Sequence, residues 1–108
     1  MPDARSLYKQ GFARFVDDAV DEAIALYRQA IEADPELAIA WNGLSIALAQ
    51  QGNFAEAIEA AGKLVELEPE DALSHTNLSR ILMQQGKIDE AEDAKAVAMR
   101  LQMKQQGS

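Results

Sequence analysis

A single period of 34 residues runs through this chain of 108. Pro35 and Pro69 are separated by it, as are Gly52 and Gly86, and as are Ala23, Ala57 and Ala91. A period of this size marks stacked supersecondary units, each too small to bury its apolar face alone and each covering its neighbour's. The copies fall at residues 4–37, 38–71 and 72–105, with 106–108 as a polar tail, so that 1–108 reads as a single domain.

The middle copy, Ala38 to Asp71, shows the plan. Trp41, Leu44, Ser45 and Leu48 recur three and four apart, one stripe of a helix. Gln51-Gly52-Asn53 turns the chain, with glycine suited to the positive φ of a tight helix–helix turn. Phe54, Ala57, Ile58, Ala61, Leu64, Val65 and Leu67 make a second stripe. Pro69 closes it, because proline lacks an N–H and restrains the residue before it. The first copy repeats this with Leu7, Tyr8, Gly11, Phe12, Phe15 and Val16, then Val20, Ala23, Ile24, Tyr27, Ala30 and Ile31 up to Pro35. Pro2 and Asp3 suit its helix start. The third has His75, Leu78, Ser79 and Leu82, then Ile88, Ala91, Ala94, Ala98, Met99 and Leu101. Gln102 to Ser108 is polar and is expected to fray. Asp18 stands where the later turns have glycine, which leaves the first turn's register open by one residue. Gly11, Ser45 and Ser79 are expected to face Ala23, Ala57 and Ala91, small against small, so that the paired backbones approach closely.

Three copies in phase form a pattern that resembles the tetratricopeptide repeat. Trp41, Leu44, Leu48, Gly52, Phe54, Ala57, Leu64 and Pro69 carry it in the middle copy. Gly11, Ala23, Tyr27, Ala30 and Pro35 carry it before, and Leu78, Leu82, Gly86, Ala91 and Ala98 after. The resemblance implies an all-α, right-handed α-solenoid of three helix-turn-helix repeats and six helices, acting as a non-catalytic protein–protein interaction module. Gln10 and Arg14 replace the leucines of later copies, and Glu92 and Lys95 replace the Ile24/Tyr27 and Ile58/Ala61 pairs. Both changes swap apolar for polar at an end of the stack, as terminal caps require. A piece of a longer array is the alternative reading.

The net charge of −8 argues against nucleic-acid partners, which need a basic face. That charge is uneven, −3, −5 and +1 over the successive copies. The absence of cysteine removes disulfides and thiolate chemistry. No apolar run reaches the roughly 20 residues of a membrane span, and no signal segment opens the chain. A cytoplasmic protein with no membrane partner, cofactor or metal is expected. No catalytic constellation is present: His75 is the lone histidine, at the helix position of Leu7 and Trp41. The adjacent acids Asp17/Asp18, Glu70/Asp71 and Glu92/Asp93 diverge on any helix and read as turn and cap residues. Trp41 and the other aromatics follow core spacing, which argues against a stacking platform.

In the repeat family the first helix of each pair lines a concave groove. The resemblance maps that lining onto Arg5, Tyr8, Lys9, Phe12, Phe15 and Val16 in the first copy. In the second it falls on Ile39, Asn42, Gly43, Ile46, Ala49 and Gln50. In the third it falls on Leu73, Thr76, Asn77, Arg80, Met83 and Gln84. Phe12, Ile39, Ile46, Leu73 and Met83 are apolar where core packing does not require it. The charges in this set, Arg5, Lys9 and Arg80, are all positive. An apolar, locally basic groove suits a peptide or helix with apolar anchors and an acidic or C-terminal carboxylate group. A self-associating scaffold, or a regulatory subunit of an enzyme encoded elsewhere, is the rival expectation. The carboxylate clamp by which one subclass grips acidic chaperone tails has its positions at Tyr8, Phe12, Gly43, Leu73 and Asn77 here. None supplies the basic side chain the clamp needs.

Overall fold

Residues 3–107, described by a computed structural model, form six helices: α1 (Ala4–Val16), α2 (Val20–Ala33), α3 (Ala38–Gln51), α4 (Phe54–Leu67), α5 (Ala72–Gln84) and α6 (Ile88–Gln106). The expectation that Pro2 helps to start α1 lies outside these residues. Each helix packs on the next in chain order, so three hairpins stack into an all-α solenoid. Capping residues set several starts. The Asp3 carboxylate accepts from the Ser6 N–H at 2.8 Å, and Asp71 accepts from the Leu73 N–H at 3.1 Å. Asn53 accepts from the Glu56 N–H at 3.5 Å while its own side-chain amide donates to the Glu56 carboxylate at 3.0 Å, which caps the start of α4.

The three hairpin turns share one geometry. Asp18, Gly52 and Gly86 all have positive φ, at 67°, 90° and 86°. The residue after each donates back five positions: Ala19 to the Arg14 carbonyl, Asn53 to Leu48 and Lys87 to Leu82, all at 2.8–2.9 Å. This is the left-handed helix ending in which glycine is the usual residue and aspartate is tolerated at some cost. The first turn therefore keeps the register of the others, and the one-residue ambiguity at Asp18 is resolved.

Most residues of the stripes read from the period are buried, but Phe12, Val16, Ile88 and Met99 are exposed, and one expected contact differs. Ala23, Ala57 and Ala91 are fully buried, and the Ser79 hydroxyl donates to the Ala91 carbonyl at 2.8 Å, a close crossing of α5 and α6. Gly11, however, is abutted by Tyr27 and Leu26: a Cβ there would lie 2.8 Å from the Tyr27 ring. A Cβ on Gly43 would also lie 2.8 Å from that ring, so Tyr27 is wedged between α1 and α3. The Trp41 indole N–H donates to the Pro35 carbonyl at 2.7 Å. One period later His75 Nε2 makes the same bond to the Pro69 carbonyl at 2.9 Å, so the lone histidine serves as a packed structural donor there. At the ends Gln10, Arg14, Glu92 and Lys95 are exposed where Leu44, Leu48, Ile24 and Tyr27 are buried. Within the stretch expected to fray, α6 stays helical through Gln106, while Ser108 lies outside the described residues.

Replacing Ala57 with Leu should overpack a position with no free surface and cost about 1–3 kcal/mol, read as a lower thermal midpoint. Asp18→Gly should raise stability by up to about 1 kcal/mol by relieving the positive φ, measurable by urea denaturation.

Candidate partner-binding groove

The first helices α1, α3 and α5 present their free faces side by side, and three hollows run between them. One is lined by Tyr8, Phe12 and Phe15 of α1, Asn42, Gly43 and Ile46 of α3, and the Tyr27 ring below. Its volume of about 90 Å³ is room for one apolar side chain. The second joins Ile39 and Asn42 to Leu73 and Ser74, and the third joins Ile46 to Asn77 and Arg80. Phe12, Ile39, Ile46, Leu73 and Met83 are all exposed, Phe12 by 51% and Leu73 by 71%. Exposed apolar side chains clustered on one face mark an interaction surface more often than a lone exposed one does.

Not every expected lining residue takes part. Arg5 and Lys9 are exposed on α1 but line none of these three hollows, whereas Arg80 lines the third. Met83 sits beside Arg80 in a further hollow reaching Lys95. Asn77 is buried, its amide donating to Asn42 Oδ1 at 3.0 Å and to Ser45 Oγ at 2.9 Å, so it ties α5 to α3. Two acids went unforeseen: Glu68 and Asp71 line the Ile39–Leu73 hollow. They arrive on the loop before α5, outside the helical spacing that located the other residues. Of the aromatics expected on core spacing, Tyr27 is buried whereas Phe12 is exposed. Tyr8 stacks on Phe12 with centroids 6.3 Å apart and on Tyr27 at 5.7 Å, a short ladder that rises from the core into the groove.

Burial raises the phenol of Tyr8, and burial together with the Tyr8 charge pushes Tyr27 up to about 12. An unfolded tyrosine ionises near pH 10, so between about pH 10 and 12 the unfolded chain gives up a proton that the folded chain retains.

A tetratricopeptide-repeat family model matches residues 4–66 and 45–101, which together take in most of the chain. The chain belongs to the tetratricopeptide-repeat family. Comparison with curated protein sequences yields no match. Among solved structures, a crystal structure of MamA superposes with a TM-score of 0.93 at 24% identity, covering 98% of this chain and 62% of that one. The chain thus spans about three fifths of the MamA chain. The second TPR of Spaghetti (RPAP3), solved with the HSP90 peptide SRMEEVD, superposes at 0.86 with 20% identity and 92% coverage of both chains. A CopN–Scc3 complex superposes at 0.86 with 21% identity, covering 91% of this chain and 58% of that chain.

Within this tetratricopeptide-repeat fold the five clamp positions are spread over the groove. Tyr8 and Phe12 form the aromatic ladder, Gly43 faces the Tyr27 ring, Leu73 is exposed and Asn77 is bonded to α3. Among the described residues no group of three or more His, Asp or Glu side chains is arranged to hold a metal ion. None of the described helices is long and apolar enough to cross a membrane.

The Tyr27 contribution to stability is whole below pH 10 and is lost as pH rises through about 12. Urea midpoints should fall across that window, and the fall should shrink in Tyr27→Phe.

Proposed function

We propose that this chain is a protein-interaction module whose concave groove takes a peptide or an amphipathic helix. An apolar side chain of the ligand seats between Phe12 and Ile46, and an acidic or C-terminal carboxylate group lies at Arg80. The observation that carries this reading is the meeting of Phe12 and Ile46 across a hollow floored by Tyr27. Tyr27 is buried and wedged between Gly11 and Gly43, which favours a hollow already shaped before binding and so lowers the ordering cost.

Charge gives the ligand a direction. Glu68 and Asp71 flank the Ile39–Leu73 hollow, which repels a carboxylate and suits an amine or a basic side chain. Arg80 flanks the hollow on the other side of Ile46, where a carboxylate is favoured. The family as a whole is generally one of protein-interaction modules. The solved relatives that hold an HSP90 peptide or form a complex with a second protein support a groove of this kind. Recognition of chaperone tails by the basic clamp is not part of the reading, because Tyr8, Phe12, Gly43 and Leu73 supply no cation at its positions.

The test is affinity capture followed by binding measurements on the captured partner. Phe12→Asp and Ile46→Asp should each cost about 2 kcal/mol or more of binding, with helicity unchanged. Arg80→Glu should weaken binding of an acidic ligand and reduce its salt dependence. Capture indifferent to the Phe12 and Ile46 changes places the binding site elsewhere.

A further inference from the structure

Among the described residues α6 is open on the face that α2 and α4 have covered by the following helix. On α2 the stripe Val20, Ile24, Tyr27 and Ile31 packs into the core beneath α3, and on α4 Ile58 packs against Leu78 and Leu82 of α5. One period on, the same stripe of α6 reads Ile88, Glu92, Lys95, Met99. Ile88 is 57% exposed and Met99 52%, and Met103 on the next turn is 68% exposed. Glu92 and Lys95 are exposed too, and neither forms a hydrogen bond or ion pair among the described residues. Beside the stripe a hollow of about 340 Å³ opens between Thr76, Ser79, Met83 and Lys95. In the previous copy the equivalent positions, Asn42 and Ser45, receive the Asn77 amide of the next helix. The geometry is a helix seat.

We propose that the occupant is α6 of a second copy, lying antiparallel in a two-fold homodimer. The stripe reads apolar, acid, base, apolar. A two-fold axis midway between Glu92 and Lys95 brings Ile88 onto Met99 of the second copy and Glu92 onto Lys95. Both apolar pairs and both ion pairs then form at once, which is the self-complementarity an isologous interface requires. Interior seating is also antiparallel, since consecutive helices of the stack alternate in direction.

Head-to-tail stacking fails on the same register. Between the first two copies the Gln51 amide donates to Asp21 Oδ1 at 2.6 Å. Carried across molecules, that contact would set Asp17 of one copy against Asp89 of the other. The incoming α1 would also offer Gln10 and Arg14 to a seat that interior copies fill with leucine.

The experiment is sedimentation velocity from low micromolar to near-millimolar chain, with circular dichroism to confirm the fold of each variant. A reversible monomer–dimer equilibrium is expected. Lys95→Glu and Glu92→Lys should each raise the dimer dissociation constant about tenfold or more, since both symmetry-related ion pairs turn repulsive. The double variant Glu92→Lys with Lys95→Glu should restore it to within about threefold, because the two-fold register pairs the exchanged charges again. Phe12→Asp and Ile46→Asp, which test the groove, should leave the dimer intact. A chain monomeric throughout, open-ended growth with concentration, or a double variant that fails to recover would each overturn the proposal.

Discussion

The wedge of Tyr27 between Gly11 and Gly43 is the contact on which both the stack and the groove depend. The ring fills the space between α1 and α3 so closely that a single added carbon on either glycine would lie 2.8 Å from it. Such a contact fixes the separation of two helices whose free faces form the groove wall. Tyr27 is 2% exposed, so its ring cannot swing aside to relieve a clash. The same ring floors the Phe12–Ile46 hollow, and Tyr8 stacks on it from the groove side. The core and the Phe12–Ile46 hollow are therefore two sides of one aromatic ring.

That arrangement exists only in the first interface of the stack. Its counterpart one period on is Ala61, and the close approach there passes to polar contacts, with Asn77 reaching across to Asn42 and Ser45. A buried amide with both donor bonds directed at α3 fixes orientation more than it adds stability, because each net bond is worth only about 1 kcal/mol. The first interface is set by the fit of one ring with Gln51 bonded to Asp21 beside it, and the second adds a buried amide to its apolar packing. On α6 the same stripe is half charged and lies uncovered among the described residues.

The helices, their order, the turns and the buried stripes were legible in the 34-residue period, because a repeat imposes the same local physics each time. Asp18 shows how far that reaches. Its left-handed backbone follows from its place in the period although its side chain does not favour it. What escaped were contacts joining residues outside the shared positions. Glu68 and Asp71 enter the groove from a loop, and Asn77 is drawn inward by partners on another helix. The aromatic ladder of Phe12, Tyr8 and Tyr27 combines two residues one turn apart on one helix with one of the next, and helical spacing, which puts Tyr8 and Phe12 on one face, does not show which residue of α2 lies beneath them. The length of α6 was missed for a related reason. Polarity in Gln102–Gln106 was read as fraying, yet Gln, Met and Lys are good helix formers and extend a helix already nucleated by packing.

The two surfaces meet at one place. Arg80, the proposed carboxylate site, shares a hollow with Met83 and Lys95, and Lys95 belongs to the α6 stripe. A helix seated on α6 takes Lys95 into an ion pair and screens the outer side of that hollow from water. With less water, the field of Arg80 on a ligand carboxylate is less damped, whereas the cation of Lys95 is no longer available to it. The two effects oppose each other. Arg80 stands on the groove helix itself, within the hollow that Ile46 shares, while Lys95 lies one helix further out. Occupation of the proposed α6 seat would thus act on the proposed acidic end of the groove, through Arg80 and Lys95, and not on its apolar centre at Phe12 and Ile46.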